Sequence, residues 1–382
     1  MFVVFLLFFI CFPFALLKLL KLQVSYIELI ILFLMLLLLS SITMLPDLEN
    51  YELSYRLLRD NGEPGFWAIE SFFSSMNFSF YQFYMVCHVA CLMIVYLSVK
   101  LMSFDGAKCL LLYAFYPFLL DVIQIRNAMF MALALLAFAI CTRCKKRFVE
   151  FFVWFAFIGV ASTIHYSAYA YLPAVLFWNT KTPTLKLPIV MFFLTSVLIL
   201  IDGSSLMVFM QQVFAFLDTN DSKYDDYMEK RTSLGGFLMM AKSLLMIYIV
   251  WFAQKIKCDL AINEDNDCTL NCPCEEIINK SYGFLLYSSL FWPLYVISAT
   301  FGRLMQNQLL LVYIVFILLF KFGLSYENST DKRAKEIFLF RIALIFVVMM
   351  YLHSKWLWID FWDYILVCLV DNLEFLFVFK GC

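Results

Sequence analysis

The chain has 382 residues, of which 64% are hydrophobic, 19% aromatic and only 15% charged, with 28 basic against 29 acidic residues and a net charge of −1. One soluble core cannot hide that much apolar surface, so the bilayer is the solvent, and a cytosolic enzyme, a secreted domain and a disordered chain are excluded. A nearly neutral chain without a basic stripe also excludes nucleic acid as a partner.

Continuous apolar runs recur along the chain at 2–17, 24–45, 78–99, 109–120, 126–142, 148–164, 167–178, 187–202, 234–253, 281–300, 304–322, 337–353 and 356–379. They are not alternating, so helices rather than a barrel satisfy the backbone in lipid. The fold expected is a single all-α, polytopic membrane domain over 1–382 with about 12–13 transmembrane or re-entrant helices. Runs 109–120 and 167–178 contain Pro117 and Pro173 and are too short to cross as straight helices. Broken helices of this kind persist where protein or a wet cavity covers the freed backbone. No internal repeat is visible, which weighs against a repeat-built transporter.

Most basic residues fall on alternate connections, including Lys18, Lys21, Lys100, Lys108 and the Arg143, Lys145, Lys146, Arg147 group. Excess Lys and Arg mark the cytoplasmic side, which places the N-terminus outside. Two outer segments follow, 45–77 and 203–233, and a cytoplasmic Cys-containing loop, 254–280. Segment 45–77 is acidic and reads as an amphipathic surface helix around Tyr51, Tyr55 and Leu58. Most of the twelve cysteines lie in apolar runs, where a thiol acts as a small hydrophobe. Cys258, Cys268, Cys272 and Cys274 read as reduced thiols, because Cys272-Pro-Cys274 lacks the two-residue gap of zinc pairs. No metal or other cofactor is called for, and no GxSxG, HExxH or Walker loop occurs.

Ionisable residues at membrane depth are costly and usually functional. Three stand at breaks between apolar runs, all on the expected outer side: Arg126 in Gln124-Ile-Arg126, His165 in His165-Tyr-Ser-Ala168, and Arg303 in Phe301-Gly-Arg303. Each has a plainer reading, as a helix-end cation, a packed imidazole or, for Arg126, a local pair with Asp121. Forked guanidinium donors suit phosphate, so two Arg and one His in a membrane cavity would suit a lipid-linked diphosphate sugar. His88 and His353 lie inside apolar runs and read as packed helix residues.

The stretch Pro46-Asp47-Leu-Glu-Asn-Tyr51, then Glu63-Pro64-Gly65-Phe66, resembles the start of the EpsG family, Wzy-like membrane proteins of bacterial exopolysaccharide and capsule assembly. Gln124-Ile125-Arg126 before the small-residue stretch Ala128–Ala139, His165-Tyr166-Ser167-Ala168 and Arg303 follow in the family's order over roughly residues 40–320. One departure is the Ser41-Ile-Thr-Met-Leu-Pro46-Asp47 stretch, where the family often has an Arg and a Gly before the Asp. Nothing beyond Lys321 shows the likeness.

The resemblance implies a polysaccharide polymerase of the bacterial cytoplasmic (inner) membrane, with an architecture similar to multi-span, lipid-dependent glycosyltransferases. Such proteins join oligosaccharide repeat units carried on undecaprenyl pyrophosphate at the outer face, during exopolysaccharide, capsule or O-antigen synthesis. The implied partners are that lipid-linked oligosaccharide, the bilayer, a flippase and chain-length regulator proteins. Arg126 and Arg303 are the expected stabilisers of the leaving diphosphate, and His165 is either the general base or a diphosphate ligand, with an acidic residue as the alternative base. Asp47, Tyr51, Glu63 and Gln124 are the expected substrate-binding residues, with Asp47 and Glu63 alternatively orienting the arginines. Competing readings are an O-antigen ligase-like glycan transferase, a lipid-linked sugar transporter or flippase, and a non-catalytic assembly partner.

Overall fold

The computed structural model describes residues 2–41, 48–58, 62–102, 105–178, 184–200, 233–263, 272–296, 299–325 and 340–353. Among the described residues every regular element is a helix. Four helices are long and apolar enough to cross a membrane, Phe2–Leu19, Phe80–Leu101, Arg147–Ile164 and Gly235–Lys255, with six shorter apolar helices beside them. The chain is an all-α, multi-pass membrane protein, as its composition requires.

The helices group into two compact units, Met1–Leu172 with His353–Cys382, and Pro173–Leu352. The first is built on α5 (Phe80–Leu101), started by a capping box in which the Ser79 hydroxyl and the Gln82 side chain accept each other's backbone N–H. That reciprocal pairing satisfies donors that would otherwise be orphaned at a helix start. α8 (Ile125–Cys141) packs along both α5 and α9 (Arg147–Ile164). Its buried face carries Ala128, Ala132, Ala134, Ala137 and Ala139, and small side chains let helix backbones approach closely in lipid.

α1 (Phe2–Leu19) lies along α5, with Phe5 against Phe78 near one end and Phe14 against Tyr96 towards the other. α2 (Tyr26–Ser41) returns from the far end, where Glu28 accepts from Lys100 Nζ at 3.0 and 3.2 Å and from the Tyr96 hydroxyl at 2.9 Å. The start of α1 therefore shares an end of α5 with Phe78, and the basic residues Lys100, Lys108 and Arg143 gather at the opposite end.

Segment 45–77 holds two helices. The described part forms α3 (Leu48–Leu57) and α4 (Pro64–Ser75), and Tyr55 is buried, donating to the Phe78 carbonyl at 2.9 Å. Gly62 at φ +77° and Pro64 in the first turn of α4 divide the two helices. A positive φ suits glycine, and proline suits the first turn because its missing N–H costs nothing there. The short run 109–120 is broken, as its proline implied: α6 (Gly106–Phe115) stops before Pro117, and α7 (Phe118–Ile123) leads into α8. The run 167–178 is a 3-10 segment, Tyr166–Phe177, with Pro173 inside it.

In the second unit the helix Ser233–Asn263 packs against Cys272–Ser288, Leu309–Ser325 and α10 (Lys186–Leu200). Gly283 sits so close to the Phe177 carbonyl that a Cβ there would lie 2.1 Å from its oxygen. Phe346 of the helix Phe340–His353 stacks on Phe316 at 3.6 Å. The expected 254–280 loop is largely helical, since one helix runs on to Asn263 and the next begins at Cys272. The expected outer segment 203–233 lies outside the described residues except for Ser233, and the run 356–379 lies wholly outside them.

Candidate functional site

Glu63 is the hub. It stands at the N-cap position of α4, where acidic side chains usually accept from their own helix, yet its carboxylate makes no cap bond. Oε2 accepts from Arg126 Nη1 at 2.6 Å, and Oε1 accepts from His165 Nδ1 at 2.8 Å and from the Tyr166 backbone N–H at 3.3 Å. Three segments far apart in sequence thus meet on one carboxylate.

Local packing fixes that meeting. An ideal Cβ on Gly65 would lie 2.1 Å from Thr163 Oγ1 and 3.0 Å from the Thr163 carbonyl carbon. Glycine is what lets α4 rest on the last turn of α9, and two residues after Thr163 the chain leaves that helix in extended conformation at His165. The segment after His165 is anchored in turn: Ala168 N–H donates to the His165 carbonyl at 3.0 Å, and Trp154 Nε1 donates to the Tyr171 carbonyl at 3.0 Å.

Arg126 is the second residue of α8. A cation at a helix N-terminus opposes the helix dipole, so its stability there depends on the carboxylate of Glu63. Its guanidinium lies 5.3 Å from the Tyr51 ring centroid and 5.7 Å from that of Phe66, within cation–π range. Phe66 is 1% exposed and packs on Phe83, so it serves as a floor beneath Arg126. Tyr51 is half-buried. The side chains of Arg126 and His165 keep 27% and 30% exposure while that of Glu63 keeps 5%, so the two basic groups reach solvent over a buried anchor.

Burial alone would raise the Glu63 carboxyl, but the hydrogen bond from His165 and the charge of Arg126 outweigh it and hold it below the usual carboxylate range. An ionised carboxylate can only accept, so His165 carries its proton on Nδ1. Nε2 has no hydrogen-bond partner among the described residues.

Of the other sequence-level candidates, Gln124 is buried at the α7–α8 joint, two residues before Arg126. The local pair of Asp121 with Arg126 does not form; Asp121 accepts from the Tyr113 hydroxyl at 2.8 Å instead. His88 and His353 are buried, as their apolar context implied. Asp47 lies outside the described residues. Arg303 belongs to the second unit, where it opens the short helix Arg303–Gln306 with its side chain exposed.

Glu70 was not singled out from the sequence. It is 1% exposed, and both carboxyl oxygens are buried with no hydrogen-bond partner among the described residues. Its position was legible: Glu63, Phe66, Glu70 and Phe73 follow helical spacing, and all four are buried. An acid on the apolar stripe of a helix is the anomaly to look for. Burial raises this carboxyl to about 7; Arg126 opposes that rise and the negative charge of Glu63 adds to it.

No curated protein and no solved structure shows significant similarity to the chain. A family profile described as EpsG family matches residues 26–366, extending well past Lys321, where the sequence motifs lose their likeness. Nearly the whole chain, including Glu63, Arg126, His165 and Arg303, lies within that match, and the protein belongs to the EpsG family.

Proposed function

We propose that the protein is a polysaccharide polymerase that joins undecaprenyl-diphosphate-linked oligosaccharide repeat units at the outer face of the bacterial inner membrane. Family membership fits an exopolysaccharide-related, glycosyltransferase-like polymerase in general. The observation that carries the finer reading is the shared carboxylate, which holds a guanidinium and an imidazole side by side with their outer edges exposed.

In this reading a hydroxyl of the acceptor unit attacks the anomeric carbon of the donor chain. The bond from that carbon to the lipid diphosphate breaks, and its electron pair leaves on the diphosphate oxygen. His165 Nε2 takes the hydroxyl proton as general base, with Glu63 fixing the tautomer and stabilising the imidazolium that forms. Arg126 faces the developing diphosphate charge, and a preorganised cation in a water-poor site acts more strongly than in bulk. Glu63, spoken for by both, orients them rather than contacting sugar. The role of Arg303 rests on the sequence likeness alone. Orientation is supported by the gathering of Lys100, Lys108 and Arg143 at the opposite end of α5.

The test is reconstitution of the purified protein with a defined lipid-linked repeat unit. A ladder of repeat lengths with release of the lipid diphosphate is expected. Transfer of a finished glycan without a ladder would mean a ligase, and movement of intact donor across the bilayer without new glycosidic bonds would mean a transporter.

A further inference from the structure

We infer that Glu70 is a positioning carboxyl that stays protonated while Arg126 holds a diphosphate, so that anion binding at the site is coupled to a proton. The inference rests on the diphosphate reading above and adds to it a residue buried too deeply to touch substrate.

Glu70 lies seven residues beyond Glu63 on the same face of α4, roughly 10 Å along the helix. The charged or titratable groups that act on it are Arg126 from α8, Glu63 from its own helix, Tyr55 from α3 and Cys87 from α5. None of them hydrogen-bonds to it, and the Arg126 Nε–H is likewise buried without a partner. An ionised carboxylate in that setting loses its hydration with no hydrogen bond in return, and the attraction of Arg126 does not make up the loss. The neutral acid costs far less and leaves Arg126 to Glu63.

The charge balance gives the consequence. With Glu70 neutral, Glu63 and Arg126 cancel and an incoming anion meets no net repulsion. With Glu70 ionised, the cluster carries a surplus negative charge beside the guanidinium, and Glu70 competes for Arg126. A diphosphate therefore binds the protonated form better and, by linkage, raises the affinity of Glu70 for its proton.

The experiment uses the full-length protein in nanodiscs and a short-chain prenyl diphosphoryl sugar. This is a diester whose phosphate charges do not titrate over the range used, about pH 5 to 9. Binding is measured by calorimetry in buffers of different ionisation enthalpy, for wild type and Glu70→Gln. Wild type should weaken roughly 20-fold between pH 6 and 8.5 and take up most of one proton per diphosphate near pH 8. Glu70→Gln should keep the pH 6 affinity and lose most of the alkaline fall and of the uptake. Any contribution from His165 is common to both proteins and cancels in the comparison. Binding with no proton uptake by wild type overturns the inference alone, and that measurement stands even where Glu70→Gln fails to fold. Equal pH dependence in the two proteins also overturns it. No binding at any pH by either protein overturns the diphosphate reading, and this inference with it.

Discussion

The His165 imidazole donates from Nδ1 to Oε1 of Glu63 at 2.8 Å, across 102 residues of chain. The same carboxylate pairs with Arg126, so the two basic groups are not independent. Glu63→Gln should remove the charge that holds Arg126 at a helix N-terminus and free the imidazole to change tautomer. A loss of roughly 100-fold or more in coupling rate is expected. Glu63→Gln/His165→Gln should be scarcely slower than His165→Gln alone, because residues acting as a unit are non-additive. Initial rates of repeat-unit coupling check this, and full additivity would separate the two residues.

Arg126→Lys keeps a charge but replaces a planar fork with a point donor. The ammonium can satisfy Glu63 but cannot do so while presenting a second in-plane edge to phosphate. The expected result is normal protein level with shortened polymer. Full-length polymer from cells carrying the variant would remove Arg126 from the chemistry.

Acid should weaken the fold through Glu63. Its folded carboxyl titrates below the ordinary value of 4.5, so between the two values the unfolded chain binds more protons. The stabilisation is present above the unfolded value and is lost as pH falls through the folded one. Thermal midpoints of wild type and Glu63→Gln, followed from pH 6 downward, should converge in acid. A constant gap between them would show that the carboxylate pairing contributes no pH-dependent stability.

Much of this was legible because helices in lipid leave plain traces. Apolar runs located most spans, and Pro117 located the break between α6 and α7, whereas Pro173 lies inside a continuous 3-10 segment. Arg126 and His165 were visible as ionisable groups where apolar runs meet, which is a local signal. The hub was harder to see because Glu63 sits in an acidic segment that reads as solvated, and only the approach of α4 to α9 turns its carboxylate inward. For Glu70 the sequence carries only its place on an apolar helical stripe, since burial without a partner belongs to the packed molecule. The helical reading around Tyr51, Tyr55 and Leu58 corresponds to α3, while α4, set off by Gly62 and Pro64, was not separated from it.

Gly65→Ala tests the approach that makes the hub. The added methyl would meet Thr163 Oγ1 at 2.1 Å and its Cβ at 2.9 Å. α4 must then move off α9, carrying Glu63 away from His165. A stability cost of about 1–3 kcal/mol is typical of such overpacking, with a larger effect on coupling rate than on the thermal midpoint. Thr163→Ala should not restore Gly65→Ala, because the Thr163 carbonyl carbon also lies within 3.0 Å. Wild-type rates for Gly65→Ala would show that the site does not depend on this contact.

At the other end of α5, Glu28 and Lys100 give a contrast between holding the fold and doing chemistry. They are 3% and 9% exposed, and the Tyr96 hydroxyl and the Ser25 N–H complete the carboxylate's hydrogen bonds. Gly106 adds to the closeness, since a Cβ there would lie 2.4 Å from Glu28 Oε1. Lys100→Met leaves a buried carboxylate unpaired, and removing one partner of such a pair typically costs about 3–5 kcal/mol. Removing both charges together, as Glu28→Gln/Lys100→Met, should recover part of that loss, because the penalty comes from the orphaned charge. The helix between this pair and the hub is 22 residues long, roughly 33 Å, so the rate per folded molecule should stay near wild type in both variants. Thermal midpoints and rates normalised to folded protein check the two halves separately. A double variant less stable than Lys100→Met would show that the pair contributes more than mutual neutralisation.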